Sequence, residues 1–276
     1  MVPVMETKII ERIYTKLFLG DPRFVELIPD AIKGWFVGTA LKYGRVVQSR
    51  EERAKLLHKL IHSKKVFDAG LEIIESPSQG FVWNKVQGAV VCLLHDIGRF
   101  YQATTNSFFD DESKIDHASA GAEMFSAKGF TIPPNYECDE RVIKQAIYYH
   151  SRCEYSGSDP YAKLVRDADK IGIFREFGLQ ERFAKRSWSW VGFSKEILDD
   201  VLNRKMCDYR QVKSVGDFTV LFISWLWDLN FSSSRRIAVK EKFPDLVRQR
   251  LTKYGLDEAS LKKVNQVLLE FENGSQ

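Results

Sequence analysis

The 276-residue chain is long enough to bury a sizeable core, and its 44% hydrophobic and 28% charged residues are ordinary for a globular protein. No apolar run approaches the length of about 18 residues that a membrane-spanning helix requires. The net charge of +4 favours a phosphate-bearing ligand without demanding nucleic acid, and Cys92, Cys138, Cys153 and Cys207 form no CxxC, which speaks against a disulfide scaffold or a thiolate zinc cage.

Residues Met1 to Arg12 lack an apolar signal core, so the expected location is the cytoplasm. Ile9, Ile10, Ile13, Leu17 and Phe18 recur at helical spacing, and Pro22 is expected to end that run. The apolar stretch from Phe24 to Tyr43, with Pro29 and two glycines, reads as short helices. Ser49 to Glu75 reads as one helix, with Ser49 as N-cap, Glu51 and Glu52 in its first turn, and Leu57, Leu60, Ile61, Val66 and Phe67 apolar. His58 and His62 lie four apart and share a face. Ser76 to Gly80 breaks the chain.

Phe81 to Arg99 is the second predicted helix, apolar nearly all round towards its end, with His95-Asp96 finishing it and Gly98 as its stop. A carboxylate buried there is costly unless it is paired or metal-bound. Tyr101 to Ser113, with Asn106, Asp110 and Asp111, reads as a loop. Asp116 caps a helix that opens His117-Ala118-Ser119-Ala120-Gly121-Ala122, small enough to admit a close neighbour, and Pro133-Pro134-Asn135 ends that unit. Cys138 to His150 is a further helix, on which Val142, Ala146 and His150 share a stripe beside Ile143 and Ile147. After the loop Ser156 to Pro160, Tyr161 to Phe177 is helical and carries Asp167 and Asp169. These two lie about 200° apart on a helix and cannot both face one site; their apolar neighbours do not decide between them.

Ser194 to Leu202, the aromatic stretch Phe218 to Phe231 and a final amphipathic segment with Leu261, Val264, Leu268 and Phe271 complete the helices. Trp225 and Trp227 are assigned to the core. The expected fold is all-α, a multi-helix bundle forming a single domain over 1–276, with a C-terminal helical extension over about 186–276 and, if the extension is separate, a break near 180–193.

His62, His95, His117 and His150 all fall in or at the ends of helices with apolar faces, and Asp96 and one of Asp167 and Asp169 add carboxylates. A lone histidine on an apolar face is more often a hydrogen-bonded core residue than a ligand, and His58 is read that way. The HxxxH of His58 and His62 lacks the glutamate of a zincin. As a set, imidazoles and carboxylates without thiolates suit manganese, iron, cobalt, nickel or zinc, with magnesium less favoured. One ion would use His62, His95, Asp96 and the later aspartate, leaving His117 and His150 to contact the phosphate or protonate the leaving oxygen. With two ions, Asp96 would bridge and His117 and His150 would bind the second. Arg99, four residues after His95, and Lys170 are candidate phosphate contacts; a surface ion pair is equally compatible with either.

The order H…HD…H…H…D resembles the HD-domain superfamily of metal-dependent phosphohydrolases. It is carried by His62 in Ile61-His62-Ser63-Lys64-Lys65-Val66, His95-Asp96 in LLHDIGRF, His117 in DHASAG, His150 in IYYH and Asp169 in VRDADKIGIF. The longer string His95 to Phe100, with Gln102 and Asp116 to Gly121, is similar to a bacterial HDIGRF-type subset. The likeness covers roughly residues 50 to 180, with a looser match at Asp228-Leu229-Asn230-Phe231. It implies an all-α fold, and it implies Asp169 rather than Asp167 as the last metal ligand.

By this resemblance the expected protein is an enzyme, a divalent-metal-dependent phosphohydrolase in which metal-activated water attacks a phosphate ester of a nucleotide or small phosphorylated metabolite. His62, His95, Asp96 and Asp169 are its expected ligands, and Asp96, His117 and His150 its expected catalytic groups. The alternatives are a dinuclear phosphodiesterase acting on cyclic nucleotides or oligonucleotides, and a non-catalytic nucleotide-binding module. The acidic residues that mark the nucleotidase branch and the glycine-tyrosine-proline element of the cyclic-dinucleotide branch are absent from the sequence. The expected partner is a small phosphorylated substrate; neither membrane nor nucleic acid is expected, and a homo-oligomer is compatible with the sequence.

Overall fold

The structure, a computed structural model, describes residues 3–76, 81–105, 110–153, 155–176 and 188–274. Among these, every extended element is a helix, and β-structure is limited to an isolated parallel bridge between Ser189 and Ser214. The fold is all-α. No described helix is long and apolar enough to cross a membrane. The chain divides into two compact units, Met1–Arg152 with Gly157–Gly172, and Cys153–Ser156 with Ile173–Gln276.

The first unit opens with α1 (Pro3–Tyr14), a π-helical turn (Thr15–Leu19), α2 (Pro22–Leu27) and α3 (Asp30–Gly44). The first helical run ends at Leu19, just ahead of Pro22. Pro22 itself occupies the first turn of α2, where its missing N–H costs nothing, and Asp21 caps that turn by accepting from the Arg23 amide. The segment expected to hold short helices holds α2 and the 15-residue α3.

Helix α4 (Arg50–Glu75) begins at a full capping box: Ser49 Oγ accepts from the Glu52 amide at 3.0 Å and the Glu52 carboxylate accepts from the Ser49 amide at 3.2 Å. Helix α5 (Lys85–Leu94) starts later than the apolar pattern suggests, because Asn84 caps it through the Gln87 amide. It also ends earlier. Asp96 leaves helical geometry (φ −101°, ψ 21°), and α6 (Ile97–Gln102) follows as a new helix.

Gly98 is therefore not a helix stop. A Cβ at this position would lie 2.1 Å from the His117 carbonyl oxygen, so glycine here is what lets α6 lie against the next long helix. Part of the expected Tyr101–Ser113 loop is also helical, with α7 (Asp110–Ser113) after the end of α6. Helix α8 (His117–Ser126) is capped by Asp116, as the sequence suggests, and α9 (Glu140–Tyr149) by Asp139. Helix α10 (Pro160–Arg175) belongs to this unit as far as Gly172, where a Cβ would meet Val66 at 2.9 Å and the His62 ring at 3.5 Å.

The long α4 packs on α5, α6 on α8, and α8 on α9. Buried rings join α2 to α4 and α3 to α6, Phe24 against Phe67 at 5.7 Å and Phe36 against Phe100 at 5.6 Å between centroids.

In the second unit α12 (Val215–Trp227) contacts α11 (Lys195–Leu202), α14 (Phe243–Lys253) and α15 (Glu258–Asn273), with α13 (Ser232–Lys240) beside α14. The expected helix over Phe218–Phe231 is displaced towards its start. Ser214 caps it through the Asp217 amide, and the chain leaves helix at Asp228 before α13 begins. Phe174 stacks on Phe243 at 4.7 Å. The break at Pro77–Gly80, Asn106, Phe177 and most of the segment 180–193 lie outside the described residues.

Candidate metal centre

Four helix ends and two helix interiors deliver the candidate ligands, all within the first unit. His62 projects from the middle of α4 and Asp169 from α10, whose Gly172 admits the His62 ring. His95 follows the last residue of α5 and keeps helical torsions, whereas Asp96 does not. In an unbroken helix these neighbours would diverge by about 100°; the bend at Asp96 lets both side chains address one place. His117 opens α8, and His150 closes α9. The four histidines and Asp96 are buried, and Asp169 is 19% exposed at its side chain.

The two oxygens of Asp96 face different partners. Oδ2 lies 3.5 Å from His95 Nε2 and 3.9 Å from His62 Nε2, and Oδ1 lies 3.4 Å from both His117 Nε2 and His150 Nε2. Asp169 Oδ1 closes the first side, 2.9 Å from His62 Nε2 and 3.6 Å from His95 Nε2. Ligand atoms of His62, His95 and Asp96, of His95, His150 and Asp169, and of Asp96, His117 and His150 gather within 4.8 Å of one another.

Hydrogen bonds behind the rings decide what the rings present. His95 Nδ1 is 2.8 Å from the Cys92 carbonyl, and His150 Nδ1 is 2.6 Å from the Ile147 carbonyl. A carbonyl only accepts, so both Nδ1 atoms donate, and in the neutral ring the lone pair is then on Nε2. His117 Nδ1 is 2.8 Å from both oxygens of Asp110, with the same result. The Nε2 atoms of His117 and His150 then face one another at 3.2 Å, lone pair to lone pair, with the Asp96 oxygen beside them. With both rings neutral such an arrangement is repulsive, and a metal ion or a proton among the three atoms relieves it. His95 Nε2 is likewise buried with no hydrogen-bond partner among the described residues. On these observations the donor set fits a divalent ion, and His62, His95, Asp96, Asp169, His117 and His150 are the residues able to hold one.

The protonation pattern agrees. Burial alone would raise the Asp96 carboxyl, but the Lys59 ammonium and the imidazoles of His95 and His150 hold it well below the ordinary carboxylate range. Burial opposes ionisation of Asp169 too, and the hydrogen bond from His62 with the nearby His95 brings its carboxyl down. Burial lowers His95, and burial together with the Arg99 charge lowers His117 to about 4, so both stay neutral and available as ligands at neutral pH.

Lys59 and Asp110 were not legible as site residues in the sequence, and Gln102 was marked there by its place beside the HDIGRF string alone. Lys59 Nζ is 2.8 Å from Asp96 Oδ2; it lies one helical turn before His62, and that i, i+3 spacing is the signal that places it on the same face. Asp110 backs His117, and the buried Gln102 holds Asp110 at 2.8 Å. Neither link has a local signature, because the chain must fold back to make it. Arg99, expected near a phosphate, has its guanidinium 3.5 Å from Asp96 Oδ1 and 3.0 Å from Asp110 Oδ1. Lys170 is placed differently: it is buried and donates to the Arg166 carbonyl of its own helix at 3.4 Å. Asp167 is fully buried, and His58 stacks on His62 at 6.1 Å.

The chain has no significant match among curated proteins and none among solved structures. The family model of the HD domain matches residues 59–172, a span that holds Lys59, all six candidate ligands, Arg99 and Asp110. HD domains are generally metal-dependent hydrolases. With its helical fold, its paired His95-Asp96 at a helix bend and its imidazoles arranged about that aspartate, the segment 59–172 belongs to the HD-domain superfamily.

Proposed function

We propose that the chain is a divalent-metal-dependent phosphohydrolase acting on a phosphate ester of a nucleotide or small phosphorylated metabolite. The observation that carries this reading is the two-sided surrounding of Asp96, with His62, His95 and Asp169 on one side and His117 and His150 on the other. In this reading His62, His95, Asp96 and Asp169 would hold a first ion, and Asp96, His117 and His150 would hold another; manganese, iron, cobalt, nickel and zinc suit these donors better than magnesium. When bound, such ions polarise a phosphoryl oxygen and lower the pKa of a water enough to make it a nucleophile near neutral pH.

The protein's own groups supply position and field. The carbonyls of Cys92 and Ile147 and the carboxylate of Asp110 fix the tautomers of His95, His150 and His117. Burial of the imidazoles keeps bulk water from the ligand side, where charges act at low dielectric. Arg99 and Lys59 stand beside Asp96 with 18% and 14% of their side chains exposed, and in this reading they donate to the phosphate. Lys170, engaged within α10, has no such part.

Two ions also suit a phosphodiesterase acting on cyclic nucleotides or oligonucleotides, and the two-sided carboxylate favours that as the second reading. Elemental analysis of wild type and of the His95→Ala/Asp96→Ala variant, followed by a panel of monoesters and diesters, tests both. About one or two ions per chain, lost in the variant together with phosphate release, is the expected result. A wild type that stays empty after incubation with manganese, nickel, cobalt and zinc overturns the metal reading. Tight nucleotide binding without turnover on any ester points to a binding module instead.

A further inference from the structure

The ring nitrogens behind the site are held in two different ways. His95 and His150 each donate from Nδ1 to the carbonyl three residues earlier, Cys92 and Ile147. A helix supplies that carbonyl wherever a histidine stands at its C-terminal end, so no side chain is needed. His117 is the first residue of α8, and no helical turn precedes it. Its Nδ1 has no such carbonyl beneath it and takes the Asp110 carboxylate instead, with both oxygens at 2.8 Å.

The segment before α8 is shaped to make that contact. Lys114 adopts a left-handed conformation (φ 60°) and turns the chain between α7 and α8, so that Asp110 folds back onto a residue seven positions later. Gln102, fully buried, directs its amide to Asp110 Oδ1 and Ser113 Oγ, both at 2.8 Å, and to the Ile115 carbonyl at 3.1 Å. Arg99 adds a contact to Asp110 Oδ1 at 3.0 Å. The carboxylate is thus fixed from one side by Gln102 and Arg99 and presents the other to His117.

We propose that Asp110 is the positioning residue of the His117–His150 side of the centre, holding His117 in the tautomer and orientation that turn its Nε2 towards Asp96 Oδ1. Resting on the two-ion reading above, this makes the two ions unequal. The second ion depends on Asp110, and the first, held by His62, His95, Asp96 and Asp169, does not. Outer carboxylates behind ligating histidines typically change metal affinity by about 10- to 100-fold.

The test uses the full chain, stripped with chelator and titrated with manganese by calorimetry. Wild type is expected to show two binding steps. In Asp110→Ala the second step weakens by about 10- to 100-fold while the first is unchanged, and Asp110→Asn, which keeps an oxygen to accept from Nδ1, falls between. In the metal-free proteins the imidazole nitrogen resonances of His117 report the Nδ1–H tautomer in wild type and lose that preference in Asp110→Ala. Wild-type affinity at both steps in Asp110→Ala overturns the proposal, and so does equal weakening of both steps, which marks a merely structural role. If wild type shows no second step, the two-ion reading fails, and the tautomer comparison alone then upholds or overturns Asp110 as the residue that positions His117.

Discussion

The Lys59 ammonium lies 2.8 Å from Asp96 Oδ2, the oxygen that also faces His62 and His95. A lysine and a metal ion on that side would share one oxygen. In the metal-free protein Lys59 compensates a buried charge; in the loaded protein an ion takes over that task. Lys59→Met, which keeps the apolar stem, is expected to lower the stability of the metal-free protein by about 3 kcal/mol, because buried Asp96 loses its nearest cation. The first ion should then bind more tightly and raise Tm by more than it does in wild type. Melting curves with and without manganese read both effects, and equal shifts in the two proteins would count against the competition.

Gly98 sits beneath the first turn of α8. A Cβ there would press on backbone, 2.1 Å from the His117 carbonyl oxygen and 2.7 Å from the Gly121 nitrogen, neither of which is the end of a flexible side chain. Gly98→Ala is expected to cost about 3 kcal/mol or more and to displace His117 along with α8. Denaturant titration measures the first and manganese binding the second. A variant as stable as wild type would show that α6 and α8 do not lie this close.

The metal-free protein is expected to lose stability on acidification. Burial with the Arg99 charge puts His117 at about 4, burial lowers His95, and Lys59, His62, His95 and His117 help to hold the carboxyls of Asp96, Asp169 and Asp110 below their ordinary range. Every one of these groups binds a proton less readily in the folded chain, so the unfolded chain carries the extra protons and stability rises with pH. The imidazole contribution is present above the ordinary histidine value of about 6.5 and is lost on the way down to the folded value; the carboxylate contribution is lost below about pH 4. Urea unfolding at about pH 7.5 and about pH 5 should give the smaller free energy at the lower pH. A larger one would contradict the assignment of neutral imidazoles.

Arg166, buried on α10, directs its guanidinium to the carbonyls of Tyr149 at 3.2 Å and Arg152 at 2.5 Å, around His150. It satisfies acceptors that the end of α9 leaves open. Arg166→Met is expected to cost about 3 kcal/mol through those lost bonds. It should also weaken manganese binding at the His117–His150 side, since His150 is the residue directly after α9. Unchanged stability would mean that water replaces the guanidinium.

The helices that bring the histidines were legible because caps and apolar spacing are local. Ser49 with Glu52, and Asp116 with Ser119, announce α4 and α8 directly. The bend at Asp96 was not legible, because the apolar run of α5 continues into Ile97 and nothing in the side chains marks the change of torsions. Asp167 and Asp169 are equivalent to periodicity. The difference between them, 2.9 Å from His62 for Asp169 and complete burial for Asp167, arises from how α10 lies on α4 at Gly172. Asp110 sits in a polar stretch that any loop could resemble, and its link to His117 appears once Lys114 has turned the chain.

His95 and His150 have a further property in common: each stands at the C-terminal end of its helix, α5 and α9. Peptide dipoles place partial negative charge at those ends. The N-terminal ends of α6 at Asp96 and of α8 at His117 offset these two, and the three carboxylates Asp96, Asp110 and Asp169 then outnumber the positive charges of Lys59 and Arg99. That excess of negative charge favours a cation over a phosphate as the first group to bind, which sets an order of addition. Inorganic phosphate should bind the metal-loaded chain and show no affinity for the chelated one.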